Sequence, residues 1–336
     1  MIEISSKIQA AYKNKTILIT GAGGYIGSHL VDALSKIDCH IIRFSRKKLA
    51  EKNNCVATIQ DIRADLIEFN DWENLLYNTN IIFHLAAQTS VTTADDFPVK
   101  DAEINIIGLL KILESAKKLG NKTLVLAGSA TECGLQEKLP VDEKVMDMPV
   151  SLYDLNKLIA EKYLHYFCKN NWIRGTCLRL CNVYGPGVQS SNRSRGVLNQ
   201  VIQNALLGKE IITFGGGEFI RDYIYISDVI AAFLFSGANI ENLGQPHYVI
   251  GSGVGKTIKE AFDLIAQKVK EKTGVAVLRS DRPFPEDYSI ADCRNFIANS
   301  TAFSNATHWK PQYTLLQGII NTIAQYKREE IILYDK

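Results

Sequence analysis

Lys15-Thr16-Ile17-Leu18-Ile19-Thr20-Gly21-Ala22-Gly23-Gly24-Tyr25-Ile26-Gly27 is the stretch that decides the fold. Its first half is a short β-rich run that ends at glycine, which reads as a buried first strand. From Tyr25 to Lys36 the apolar residues recur at helical spacing. Between strand and helix, Gly21, Gly24 and Gly27 permit a tight turn and let a ligand approach the backbone closely. The helix N-terminus behind them offers free N–H groups and the positive end of a dipole, which suits a pyrophosphate. A nicotinamide dinucleotide is the expected ligand of such a strand–turn–helix unit. Gly21, Gly24 and Gly27 give a GxxGxxG spacing, with Gly23 as a further glycine inside it.

Outward from this turn, the runs Cys39 to Phe44, Asn80 to Leu85, Lys122 to Leu126 and Gly175 to Leu180 read as further strands. Asp101 to Leu119 and Leu155 to Lys169 read as helices. Strands alternating with helices predict an α/β fold, a Rossmann-type doubly wound parallel sheet. Past Asn182 the texture changes to Gly185-Pro186-Gly187, a polar stretch from Gln189 to Gly196, and Gly215-Gly216-Gly217. The expected division is a dinucleotide-binding domain, 1–181 plus 222–252, and a smaller C-terminal substrate-binding domain, 182–221 plus 253–336.

The 336 residues are 46% hydrophobic with a formal net charge of +2, so no basic surface for nucleic acid is expected. Seven cysteines without a CxxC pair fit a reduced, cytoplasmic protein. Cys177 and Cys181 read as buried thiols, and no metal is expected. Residues 1–15 lack the apolar core of a signal peptide, and no apolar run is long enough to span a bilayer, so no membrane partner is expected. His84, in an apolar strand, reads as a satisfied core histidine.

An acidic residue about 20 positions after the glycines would hold the ribose 2′-hydroxyl of NAD. Here the run is Arg43-Phe44-Ser45-Arg46-Lys47-Lys48. Ser45, Arg46 and Lys47 suit a 2′-phosphate, which favours NADP(H), with NAD(H) as the alternative. Tyr153 and Lys157 stand four residues apart, on one face of a helix. A free phenol has a pKa near ~10, and a neighbouring ammonium stabilises the phenolate. That pair can move a proton on or off a sugar oxygen. Ser129, at the end of a predicted strand, can hydrogen-bond the reacting oxygen, and Thr131 is a second candidate.

Together these residues resemble the extended short-chain dehydrogenase/reductase family, the nucleotide-sugar epimerases, dehydratases and reductases, over nearly the whole chain. The resemblance also rests on Phe83-His84-Leu85-Ala86-Ala87, Leu178 to Gly187 and Phe214 to Ile224. It implies that Tyr25, Ile26, Leu85, Ala86, Ala87 and Asn105 line the cofactor, with Asp61 and Ile62 at the adenine. By the same likeness Gln88, Ser129, Asn182, Val197, Phe214, Arg221 and Arg282 bind a nucleotide-diphospho-sugar. Two subunits are expected to pair through the helices near Asp101 and Leu155 as a homodimer.

The family's dehydratases carry Thr-Asp-Glu where this chain has Ser129-Ala130-Thr131, with Glu132 one position late, so dehydration is disfavoured. The remaining readings are NADPH-dependent reduction of a 4-keto (6-deoxy) nucleotide sugar with Tyr153 as proton donor, favoured by the basic loop, and an NAD-dependent 4-epimerase. A non-catalytic dinucleotide-binding protein is the distant alternative, disfavoured because Ser129, Tyr153 and Lys157 are all present.

Overall fold

The structure is a computed structural model, and it describes residues 6–188, 196–285 and 290–328. The polar stretch from Gln189 lies outside them as far as residue 195. Five runs read from the sequence are strands: β1 (Thr16–Thr20), β2 (His40–Ser45), β4 (Ile81–His84), β5 (Thr123–Ser129) and β6 (Arg174–Leu180). β3 (Thr58–Arg63) and β10 (His247–Ile250) complete a seven-stranded sheet in the order β10-β6-β5-β4-β1-β2-β3. All its pairings are parallel. The chain order reverses between β1 and β4, and ligands of such sheets lie at that switch point, beyond the carboxyl ends of the strands.

β1, β4 and β5 are buried on both faces, as their unbroken Ile/Leu/Val runs require. Two cores flank the sheet. One, with Leu18, Phe44, Trp72, Leu113 and Leu164, lies under the helices Gly108–Leu119 and Leu152–Lys169. The larger, with Ile17, Ile19, Phe83 and Phe233, runs on through Tyr184 and Phe262 into the second part of the chain. The helix predicted from Asp101 is three segments, Pro98–Ala102, a π-helical turn Glu103–Ile107, and Gly108–Leu119.

The second part contains β7 (Asn182–Tyr184), β8 (Ile211–Phe214), β9 (Ile220–Tyr225), β11 (Gly255–Thr257) and β12 (Arg279–Arg282). They form a three-stranded sheet, β11-β9-β7, and a two-stranded one, β12-β8. Asp222 on β9 ties this part to the main sheet. Its buried carboxylate accepts from Ser252 N at 2.8 Å, Ser252 Oγ at 2.6 Å, Gly253 N at 2.9 Å and Ala298 N at 3.0 Å.

Candidate active site

The glycine turn is built as the sequence reads. Gly21 has a φ of +69°, and a Cβ there would stand 2.8 Å from Ala86 N; one at Gly27 would stand 2.2 Å from Gly21 O. Only glycine satisfies both contacts. Thr20 locks the turn to the loop after β4, because its Oγ1 accepts from Leu85 N at 3.1 Å and Ala86 N at 3.2 Å. The helix Tyr25–Leu34 has Gly24 as its N-cap and no side-chain cap, so its first turn faces the crevice with backbone donors. This cradle fits a pyrophosphate, with Leu85, Ala86 and Ala87 beside it.

Several predicted cofactor residues have their side chains committed elsewhere. The phenol of Tyr25 donates to Gly185 O at 2.8 Å, and burial holds its pKa well above the ordinary value. His29 Nε2 lies 2.8 Å from Pro186 O, so the same helix holds the Gly185–Gly187 loop. The Asp61 carboxylate is paired by both oxygens to Arg43, at 2.6 and 2.7 Å. Ser45 Oγ accepts from Lys47 N at 3.3 Å. Arg46, Lys47 and Lys48 are exposed beyond it, and Ile62 is half-buried.

Asn105 and Gln88 support each other. Asn105 Oδ1 accepts from Gln88 N at 3.0 Å, and Asn105 Nδ2 donates to Gln88 O and to Asp101 Oδ1, both at 3.1 Å. Gln88 Nε2 donates to Asp101 Oδ1 at 2.6 Å, and Asn156 Nδ2 to Asp101 Oδ2 at 2.7 Å. Asp101, fully buried, thus holds the loop after β4 against the helix Leu152–Lys169. Its place in the helix was legible; its role was not, because Gln88 and Asn156, the partners that it joins, lie 13 and 55 residues away.

Tyr153 and Lys157 are both buried on that helix, 4% and 5% exposed. Lys157 Nζ donates to Ala127 O on β5. Ser129, the last residue of β5, lies 2.8 Å from Thr131 Oγ1, and Thr131 Oγ1 in turn donates to Asp154 Oδ1. Thus Ser129 and Thr131 stand where β5 ends, bonded to the helix that carries Tyr153 and Lys157. Glu132 is a second residue whose role the sequence reading missed. Ser129 N donates to its Oε1 at 2.6 Å, and Ser129 and Glu132 form a capping box. The Ser-x-x-Glu spacing is the signal that could have found it.

Behind the loop, Glu132 Oε2 lies 3.2 Å from Arg179 Nε. Arg179 also holds Glu161 through two bonds, at 2.7 and 2.8 Å, and Asp147 at 2.5 Å. Burial, and then the Glu161 charge, push the Glu132 pKa well up. Burial pushes Glu161 up as well, but hydrogen bonds from His247 and Arg179 and the Arg179 charge outweigh it and leave its pKa lowered. Cys177 Sγ, Glu132 and Glu161 stand within 4.8 Å of one another, with the Arg179 guanidinium already beside both carboxylates.

The predicted nucleotide ligands lie in the second part. Phe214 and Arg282 are register partners on β8 and β12, and Arg282 pairs with Glu210 at 2.9 Å. Arg221 donates to Asp292 O at 2.7 Å and to Arg294 O. Asn182 Nδ2 donates to Asp222 O at 3.3 Å, and Val197 is exposed at the start of the helix Val197–Leu206.

A sequence profile described as the NAD dependent epimerase/dehydratase family matches residues 17–251. The putative UDP-glucose 4-epimerase of Methanocaldococcus jannaschii is 30% identical over 308 residues, covering 90% of this chain and 95% of that protein. The crystal structure of UDP-glucose 4-epimerase from Thermotoga maritima with UDP-glucose matches at a TM-score of 0.81 and 30% identity, over 94% of this chain and 99% of that one. That of Thermus thermophilus UDP-glucose 4-epimerase in complex with NAD matches at 0.78 and 25% identity, over 93% and 99%.

Proposed function

Since the chain belongs to the NAD-dependent epimerase/dehydratase family, we propose that it is a nucleotide-sugar 4-epimerase that retains NAD and acts on a UDP-hexose. It is an NAD(P)-dependent enzyme acting on a nucleotide sugar. The end-to-end match to UDP-glucose 4-epimerases at 30% identity carries the finer reading.

The dinucleotide would be held by the Gly21–Gly27 turn, by Leu85 to Ala87, and at its adenosine end by Ser45, Arg46, Lys47, Asp61 and Ile62. When bound, its nicotinamide supplies the hydride acceptor and donor. Tyr153 takes the C4 hydroxyl proton and returns it after the sugar has turned. Lys157 supplies the positive charge that favours the phenolate. Ser129 hydrogen-bonds the reacting oxygen. Asn182, Arg221, Arg282 and Phe214 hold the nucleotide diphosphate, with Gln88 and Val197 at the edges of the sugar site. On this reading 1–181 with 222–252 serves the cofactor and the remainder serves the sugar.

A second reading, reduction of a 4-keto sugar with NADPH, is favoured by one observation: Arg46, Lys47 and Lys48 stand exposed just past Ser45. One experiment separates the two. The cofactor released from purified protein is identified, and UDP-glucose is supplied with no added reductant. NAD in the released fraction and interconversion with UDP-galactose are expected. An empty site with NADPH-dependent consumption of a 4-ketosugar overturns the epimerase. Tyr153→Phe is expected to lower kcat by about a hundredfold or more while the cofactor stays bound.

We also infer a homodimer. On the helix Leu152–Lys169, Leu152, Leu155, Tyr163 and Tyr166 are exposed at helical spacing, and Val99 and Ile107 are exposed on the neighbouring helical segment. Such a stripe is suited to a second copy of the same surface.

A further inference from the structure

The helix Tyr25–Leu34 turns the N–H groups of its first turn to the cofactor crevice, and the side chains of Tyr25 and His29 to the second part of the chain. These two residues are four apart, so they share one face and lie about 6 Å from each other along the axis. Their rings meet edge to face, 5.6 Å between centroids at 89°.

On that face lies Gly185-Pro186-Gly187, the segment that follows β7. Gly185 N donates to Asn199 Oδ1 at 2.9 Å, and Gly185 O accepts from Tyr25 Oη at 2.8 Å. Asn199 also hydrogen-bonds the Tyr25 phenol, which closes a ring of three residues. Pro186 O faces His29 Nε2 at 2.8 Å, and a carbonyl oxygen only accepts, so the ring donates from Nε2. Gly185 and Gly187 have φ of +139° and +133°, a conformation that only glycine adopts readily. A Cβ on Gly187 would stand 2.4 Å from His29 Nε2, so the backbone lies directly against the ring. Two such glycines have little stiffness of their own. The shape of the segment is therefore imposed by the helix beneath it.

The segment stands between two residues given above to the sugar nucleotide. Asn182 is three positions before Gly185, and Val197 begins the helix that carries Asn199. We infer that Tyr25, His29 and Asn199 are positioning residues that seat Gly185–Gly187 on the pyrophosphate helix and so hold the nucleotide-sugar site in register with the cofactor. The inference rests on the nucleotide-sugar reading above. One rigid helix then carries the pyrophosphate at its end and the sugar-side backbone on its flank, and the spacing of the two ligands is fixed by that single element.

The test uses the full chain with its own cofactor. Hydrogen exchange is followed by mass spectrometry on peptides spanning 182–188, and binding of UDP by calorimetry. His29→Ala removes the bond to Pro186 O and leaves the partner of Gly185 N in place. Exchange is expected to quicken about tenfold and the UDP Kd to rise about fivefold, with the cofactor content per chain unchanged. His29→Gln, whose amide can reach the same carbonyl, is expected to bring both back to within about twofold of the parent. If His29→Ala folds poorly, Tyr25→Phe removes one hydroxyl and no ring, and is expected to move exchange and UDP binding in the same direction. Unchanged exchange, or quicker exchange with unchanged UDP affinity, overturns the inference. So does loss of cofactor in step with UDP, or a His29→Gln variant that behaves like alanine. A parent that binds no UDP refutes the nucleotide-sugar reading by itself. Exchange in His29→Ala, His29→Gln and Tyr25→Phe then decides alone whether the segment is seated on the helix.

Discussion

His84 is 2% exposed, with Nδ1 2.9 Å from Thr20 Oγ1. Desolvation, and then the Lys157 charge, push its pKa down to about 3. The folded chain therefore keeps this ring neutral, while an unfolded chain protonates it below about 6.5. His84 thus contributes stability that is fully present above pH 6.5 and is lost as pH falls from there toward 3, on the order of 4 kcal/mol at the limit. His84→Asn places an amide oxygen near the position of Nδ1 and removes the titration. The stability difference between parent and variant, measured by denaturant unfolding, is expected to shrink between pH 7 and pH 4. A constant difference would show that the ring titrates normally. Asp228 works in the opposite direction, because burial raises its carboxyl to about 6 and its share of stability falls as pH rises from 4 to 6.

At the scale of elements, the glycine turn makes the sharpest prediction. A methyl at position 27 meets the backbone oxygen of Gly21, which cannot yield without moving β1 or the helix. Gly27→Ala is expected to cost about 1–3 kcal/mol and to empty the purified protein of cofactor. Gly244→Ala, where a Cβ meets nothing within 4 Å, is the control. Unfolding curves and cofactor content per chain check both. This turn was legible because every constraint on it is local. So were the buried strands β1, β4, β5 and β6, and the Tyr153–Lys157 spacing. β3 was missed because Thr58–Arg63 is a half-exposed edge strand whose polar residues conceal the β pattern. β10 is four residues long and joins its neighbour from far along the chain. Arg43 reads as the first cation of the basic run at the end of the second strand, but its register partner on β3 is Asp61, and that pairing has no local signature. The commitment of Tyr25 to Gly185 was hidden for the same reason.

At the scale of the whole molecule, the apolar stripe along the helix Leu152–Lys169 is the largest claim still open to a simple measurement. Leu155→Glu puts a charge into the inferred dimer face without touching Tyr153 or Lys157. Sedimentation at micromolar concentration is expected to show a dimer for the parent and a monomer for the variant. A monomeric parent would refute the dimer and leave the chemistry standing. The arrangement of the main sheet also bears on how the chain is made. β6 stays an open edge until β10 arrives, and Glu161 waits as long for His247, whose Nδ1 lies 3.0 Å from it. The intervening stretch of roughly 70 residues takes about 4–14 s to leave a ribosome. For that interval the nascent chain presents an unpaired strand beside a nearly complete parallel sheet, and translation speed across the stretch between β6 and β10 sets how long that edge stays open to wrong partners.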